Sequence, residues 1–186
     1  MAESRRRLLK KSVVGATLLA IAGSVPLALR RTRLRELPAQ RPLRFFTPAE
    51  YSIWAAVADR VLAEEKPSGG PTPAQIDVAA RADAFLAPLP ENDRKDLKQL
   101  LALFDNALFS ALQGGPPRPF TTMSPEQQDA HLRRWQTSRL ALQRTGYQAM
   151  KRLCCALFFS APETYASVGY PGPPYELVKS VSGARQ

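Results

Sequence analysis

Apolar residues recur at spacings of three and four along most of the chain. The runs are separated by short Pro- and Gly-rich stretches, and three open on the same punctuation. Thr47-Pro48-Ala49-Glu50 is a helix start. The threonine hydroxyl can accept from the fourth residue's amide, and Glu50 can reach back to the Thr47 amide. Pro48 occupies the first helical position, where a missing N–H is harmless. Tyr51, Trp54, Val57, Ala58, Val61 and Leu62 then form one stripe, ending near Glu65 before Pro67-Ser68-Gly69-Gly70-Pro71. Thr72-Pro73-Ala74-Gln75 opens a second helix with Ile76, Ala79, Ala80, Phe85 and Leu86 as apolar positions, stopping near Pro88 and Pro90. Leu97, Leu100, Leu101, Phe104, Leu108 and Leu112 predict a third helix of about twenty residues, closed by Gly114-Gly115-Pro116-Pro117. Ser124-Pro125-Glu126-Gln127 starts a fourth, through Leu132 and Trp135. A long helix from about Thr137 to Phe159 carries Leu140, Tyr147, Met150, Cys154, Leu157 and Phe158, with Gly146 in its middle. A short one follows Ser160-Ala161-Pro162-Glu163.

No segment alternates apolar and polar residues as a strand does, and no repeat of solenoid length is present. The expectation is an all-α fold, a compact bundle of five or six helices in residues 47–175. In front lie an N-terminal segment, 1–29, and a Pro- and Arg-rich linker, 30–46. Residues 176–186 read as a tail.

The formal charge of +10 suggests nucleic acid until it is located. Residues 1–44 hold 11 Lys/Arg against 2 acids, whereas residues 45–186 hold 15 against 14. The body is nearly neutral. A nucleic-acid domain needs its basic face on the folded body, so that class is set aside.

The basic segment has an order of its own. Ser4, Arg5, Arg6, Leu8, Leu9 and Lys10 precede an apolar stretch, Ser12 to Leu29, and match the twin-arginine export pattern S-R-R-x-F-L-K with Leu8 in the Phe position. A twin-arginine route carries folded proteins, so the passenger can be another subunit. The competing reading is a retained anchor. Eighteen residues at about 1.5 Å each reach about 27 Å, just enough to span a bilayer core. Pro26 interrupts the run, and arginines on both flanks leave no clear orientation. Ala20-Ile21-Ala22 and Ala22-Gly23-Ser24 are the best small-residue cleavage candidates.

The body offers little chemistry. His131 is the only histidine and reads as a satisfied structural residue. Asp59, Asp77, Asp83 and Asp105 fall on predicted helices, where acids are usually solvated or locally paired. Trp54 and Trp135 lie on apolar stripes. There is no phosphate-binding glycine loop, nucleophile elbow or Cys-x-x-Cys. Cys154 and Cys155 are adjacent. They read either as two small apolar helix residues or as a site where one pairs with a partner chain in an oxidising compartment. The chain is expected to have no catalytic, cofactor or metal residues.

Taken in order, these pieces resemble the gluconate 2-dehydrogenase subunit 3 family. They are the twin-arginine leader, Phe46-Thr47-Pro48-Ala49-Glu50, Asp59-Arg60-Val61, Pro119-Phe120, the Glu126-Gln127 to Trp135 helix, Phe158-Phe159-Ser160 and the closing Gly169-Tyr170-Pro171-Gly172-Pro173-Pro174. Many members carry Ile-Pro after the first helix, where this chain has Val61-Leu62-Ala63-Glu64-Glu65. The resemblance implies the small, gamma subunit of a periplasmic dehydrogenase associated with the inner membrane. FAD would sit in a partner catalytic subunit of the glucose-methanol-choline type, and haem c in a multi-haem cytochrome that accepts the electrons. The small subunit would bind the flavoprotein, support its folding and escort it through the twin-arginine machinery. In that role Tyr165, Tyr170, Pro171, Gly172, Pro173 and Pro174 are docking candidates, since a preformed Pro-rich strand loses little entropy on binding. The alternative for this tail is a brace across the bundle. The alternative for the whole chain is a free-standing exported or membrane-tethered helical binding protein.

Overall fold

The computed structural model describes residue 39 and residues 41–173. The export-signal residues Ser4, Arg5, Arg6, Leu8, Leu9 and Lys10, Pro174 and the tail 176–186 lie outside them. The described residues contain eight α-helices and no strand. These are α1 (Pro48–Glu65), α2 (Pro73–Ile76), α3 (Val78–Leu86), α4 (Glu91–Phe104), α5 (Ala107–Leu112), α6 (Pro125–Gln136), α7 (Ala141–Phe159) and α8 (Pro162–Tyr165). Single 3-10 turns occur at Phe120–Thr122 and Ala166–Val168.

All three capping boxes form. At the first, Glu50 N donates to Thr47 Oγ1 at 3.3 Å and Thr47 N donates to Glu50 Oε2 at 2.8 Å. The α1 stripe is the centre of the core: Trp54, Val57, Ala58 and Leu62 are almost fully buried, and Ile53 joins them. The helix packs on α3 and α7, while α6 lies along α7. Each large apolar side chain sealed here contributes about 1.5–3 kcal/mol.

The chain breaks twice where the apolar spacing runs on. The second predicted helix divides at Asp77, which sits in the left-handed region at φ 53°. Its carboxylate accepts from Ala80 N at 3.1 Å, capping α3, and from Tyr51 Oη at 2.9 Å. An aspartate tolerates this backbone better than most residues because its short side chain bonds locally. The third divides at Asp105-Asn106. Asn106 Oδ1 accepts from Phe109 N at 2.8 Å and starts α5 as a separate helix. Leu108 and Leu112, expected on the buried stripe, are therefore rotated out to solvent. With each broken pair counted once, the described residues hold six helices, within the five or six expected.

The long helix also starts later than its periodicity suggests. Thr137 closes α6, and Ser138 bridges to α7 by accepting from Leu140 N at 3.1 Å and donating to Gln143 Oε1. Leu140 is consequently exposed, whereas Tyr147, Met150, Cys154 and Phe158 are buried as expected. Gly146 lies where α7 crosses α4 and α6: a Cβ there would sit 2.9 Å from Leu100 Cδ1 and 3.3 Å from Trp135 Cζ3.

The end of the segment read as linker belongs to the packed body. Phe46 is buried and stacks on Trp54 at 5.9 Å, and Lys98 Nζ sits 4.9 Å from the Phe45 ring centroid. The fastening is Asp83 of α3. Its carboxylate accepts from the backbone N–H of Arg44 at 2.7 Å, Phe45 at 2.9 Å and Phe46 at 2.6 Å.

Candidate functional site

Most buried polar side chains tie helices to one another or to loops. Arg60 of α1 meets Asp129 of α6 with two contacts, Nε to Oδ1 at 2.8 Å and Nη2 to Oδ2 at 3.3 Å. Asp105 accepts from Thr121 N at 3.0 Å and Thr121 Oγ1 at 3.2 Å, pinning the 3-10 turn to the end of α4. Gln128 Nε2 holds the same turn through the Phe120 carbonyl at 3.0 Å. Desolvation raises the Asp105 pKa to about 6 even though the Thr121 hydrogen bonds oppose it. Burial, then the hydrogen bond and charge of Asp77, push the Tyr51 phenol to about 12.

Of these aspartates, expected to be solvated or locally paired, Asp59 is solvated and Asp77 caps Ala80 locally, whereas Asp83 and Asp105 hold backbone far along the chain. Asp59 alone is exposed; Asp77 and Asp83 are buried and Asp105 is half-buried. The signal available was position. Asp77 and Asp105 stand at the joints between helical runs, where carboxylates cap amides. Asp83 gave no local signal, because its partners lie 37 to 39 residues earlier.

His131 is buried inside a box of rings, with centroids 4.9 Å from Phe104, 5.4 Å from Phe120 and 6.1 Å from Trp135. It is structural, as expected, but held by rings: neither nitrogen makes a well-formed hydrogen bond. Burial and then the charge of Arg134 lower its pKa to about 4, while the Phe104 carbonyl pulls slightly the other way. Among the described residues, no three His, Cys, Asp or Glu gather in a way that could hold a metal ion. No helix among them is long and apolar enough to cross a membrane.

The C-terminal docking candidates among the described residues, Tyr165 and Tyr170 to Pro173, lie together at the end of α8. Gly169 takes φ 66° and turns the chain, so that Tyr170 N donates to the Tyr165 carbonyl at 2.9 Å. The two tyrosine rings meet edge to face at 5.0 Å, and Tyr165 Oη donates to the Ser160 carbonyl at 3.2 Å. Gly172, at φ 99°, passes over the Tyr165 ring. Residues 168–171 are exposed. The described part of the tail thus folds back on α8 and leaves Tyr170 facing solvent.

Cys154 and Cys155 are both free thiols. Cys154 is fully buried, and desolvation raises its pKa to about 12. Cys155 is half-buried beside the Lys151–Glu65 ion pair, its pKa raised by burial and by Glu65. Neither is poised as a thiolate. As packed, only Cys155 presents a sulfur toward the surface.

The family model for gluconate 2-dehydrogenase subunit 3 matches residues 48–172. The chain belongs to the gluconate 2-dehydrogenase subunit 3 family. No curated protein and no solved structure matches it. The family match opens at the first residue of α1 and ends at Gly172 in the tail, so it takes in every α-helix described. The Asp83 carboxylate lies within it, and the backbone it grips lies just ahead of it.

Proposed function

We propose that this chain is the non-catalytic small subunit of an exported, membrane-associated sugar or alcohol dehydrogenase. It binds and stabilises a catalytic flavoprotein of the glucose-methanol-choline type and escorts it through the twin-arginine pathway. FAD is carried by that partner, and electrons leave through a multi-haem c-type cytochrome. The complex works in the periplasm at the inner membrane.

The observation that carries this reading is the family match over residues 48–172, behind a leader with Arg5 and Arg6 in the twin-arginine positions. The body supports it: buried polar side chains fasten helices to one another, to the Phe120–Thr122 turn and to residues 44–46, the N-terminal strap. Docking uses the exposed Tyr170 with the Gly-Pro turn beside it, and Cys155 is the thiol available to a partner cysteine once oxidised.

Co-expression with the flavoprotein tests the escort role. With Arg5→Lys and Arg6→Lys together, the flavoprotein should stay in the cytoplasm. Active flavoprotein in the periplasm of that strain would refute it. A free-standing binding protein would instead purify alone as a well-behaved monomer, with no flavoprotein bound at any stage.

A further inference from the structure

Charge is segregated within the nearly neutral body. Residues 130–162 hold six Lys/Arg and no Asp or Glu. The acids that bracket this run are engaged, Asp129 with Arg60 and Glu163 with Arg81. Within it, the corner between α6 and α7 projects: from Gln136 to Leu142 every residue is exposed except half-buried Ser138. Leu140 and Leu142 stand on this corner, 48% and 55% exposed, between the exposed Arg139 and Arg144. Arg144 Nη1 donates to the Ser138 carbonyl at 2.6 Å and so is held against the loop. The neighbouring α5, whose Phe109 packs on Trp135, adds Leu108 and Leu112, 46% and 73% exposed.

We propose that this corner is a membrane-surface contact, in which Leu140 and Leu142 enter the interfacial layer of an anionic phospholipid bilayer while Arg139 and Arg144 hold its phosphates. Leucines flanked by long cationic side chains suit that boundary, because the apolar tips go in and the charged heads stay at headgroup level. A protein partner fits less well. Binding hot spots favour Trp, Tyr and Arg in pockets and are poor in Leu, and this corner is a projection that carries no acid of its own for complementary pairing. It also stands apart from the thiol side of α7, since Cys155 follows Leu140 by fifteen positions, about 22 Å of helix. The inference does not depend on which flavoprotein the chain escorts.

The test must separate this corner from the basic leader, which can bind vesicles by itself. Full-length Leu140→Trp would be mixed with phosphatidylcholine–phosphatidylglycerol vesicles containing brominated phosphatidylcholine. Val168→Trp, beyond the opposite end of α7, serves as the position control. Trp54 and Trp135 are buried and give a background measured on the unaltered chain. Bromine should quench the indole introduced at position 140 and spare the control. Adding Arg139→Gln and Arg144→Gln should weaken the quenching severalfold, on a scale of about fivefold per arginine. Vesicles without phosphatidylglycerol should give little. Equal quenching at both positions, or none at position 140 with the protein vesicle-bound, overturns the proposal; so does failure to bind anionic vesicles. If position 140 is shielded only when the flavoprotein is added, the corner is a protein interface and the proposal falls.

Discussion

Two desolvated groups in contact with the same turn should cancel each other's pH dependence. Asp105 holds the Phe120–Thr122 turn through Thr121, and His131 packs on the Phe120 ring. Asp105 is raised from 3.8 to about 6, so above that pH the folded chain keeps a carboxylate that would be better solvated unfolded. Its contribution is fully present below 3.8 and is lost as pH rises through about 6, a change of about 3 kcal/mol. His131 is lowered from 6.5 to about 4 and runs the other way. Its contribution is present above 6.5 and lost as pH falls through about 4, again about 3 kcal/mol. Between those limits the folded state binds one proton more than the unfolded at Asp105 and one fewer at His131. Asp105→Asn keeps an oxygen for Thr121 and removes the titration. Urea unfolding followed by circular dichroism, from neutral pH down to about pH 4, should then show the variant losing about 3 kcal/mol relative to wild type. His131→Leu should gain a similar amount over the same range, and the double variant should track wild type. Single-variant differences that stay flat with pH would refute the opposed titrations.

Three further outcomes follow from the packing. Asp83→Ala removes the acceptor for three backbone amides. It should cost about 3 kcal/mol and speed trypsin cleavage after Arg44, read by mass spectrometry, whereas Asp83→Asn should keep part of both. Gly115→Ala would place a Cβ 2.5 Å from Ser110 Oγ and 3.0 Å from its carbonyl, and should lower the melting temperature by an overpacking cost of about 1–3 kcal/mol. In the native protein iodoacetamide should modify Cys155 slowly and leave Cys154 untouched until denaturant is added; intact-mass spectrometry distinguishes one adduct from two.

What the sequence made legible was local. The Thr-Pro and Ser-Pro starts carry their partners within three residues, and all three form as written. The stripes of α1 and the later part of α7 are continuous enough to fix their buried faces. Asp77 and Asp105 were missed because the apolar spacing carries across both breaks, and spacing says nothing of a backbone that leaves the helix between two well-spaced leucines. The exposure of Leu108, Leu112 and Leu140 follows from those breaks and from the late start of α7. His131 looked like a residue needing hydrogen bonds. Its surroundings are three rings brought together from α4, the 3-10 turn and α6, a grouping that exists only in three dimensions. Among the candidate functional residues, the order of motifs pointed to the family, while the relative accessibility of Cys154 and Cys155 needed the packed helix.

The Asp83 clasp also limits what the strap can be made of. It reads backbone N–H groups, so the side chains at 44, 45 and 46 can vary as far as packing permits, but none of these positions can be proline. Prolines stand at 38, 42 and 48, close on either side of this three-residue window. Drift in such a segment is therefore bounded by one forbidden residue type, and a single Arg→Pro or Phe→Pro exchange there would undo in one step a junction that many other substitutions would leave intact.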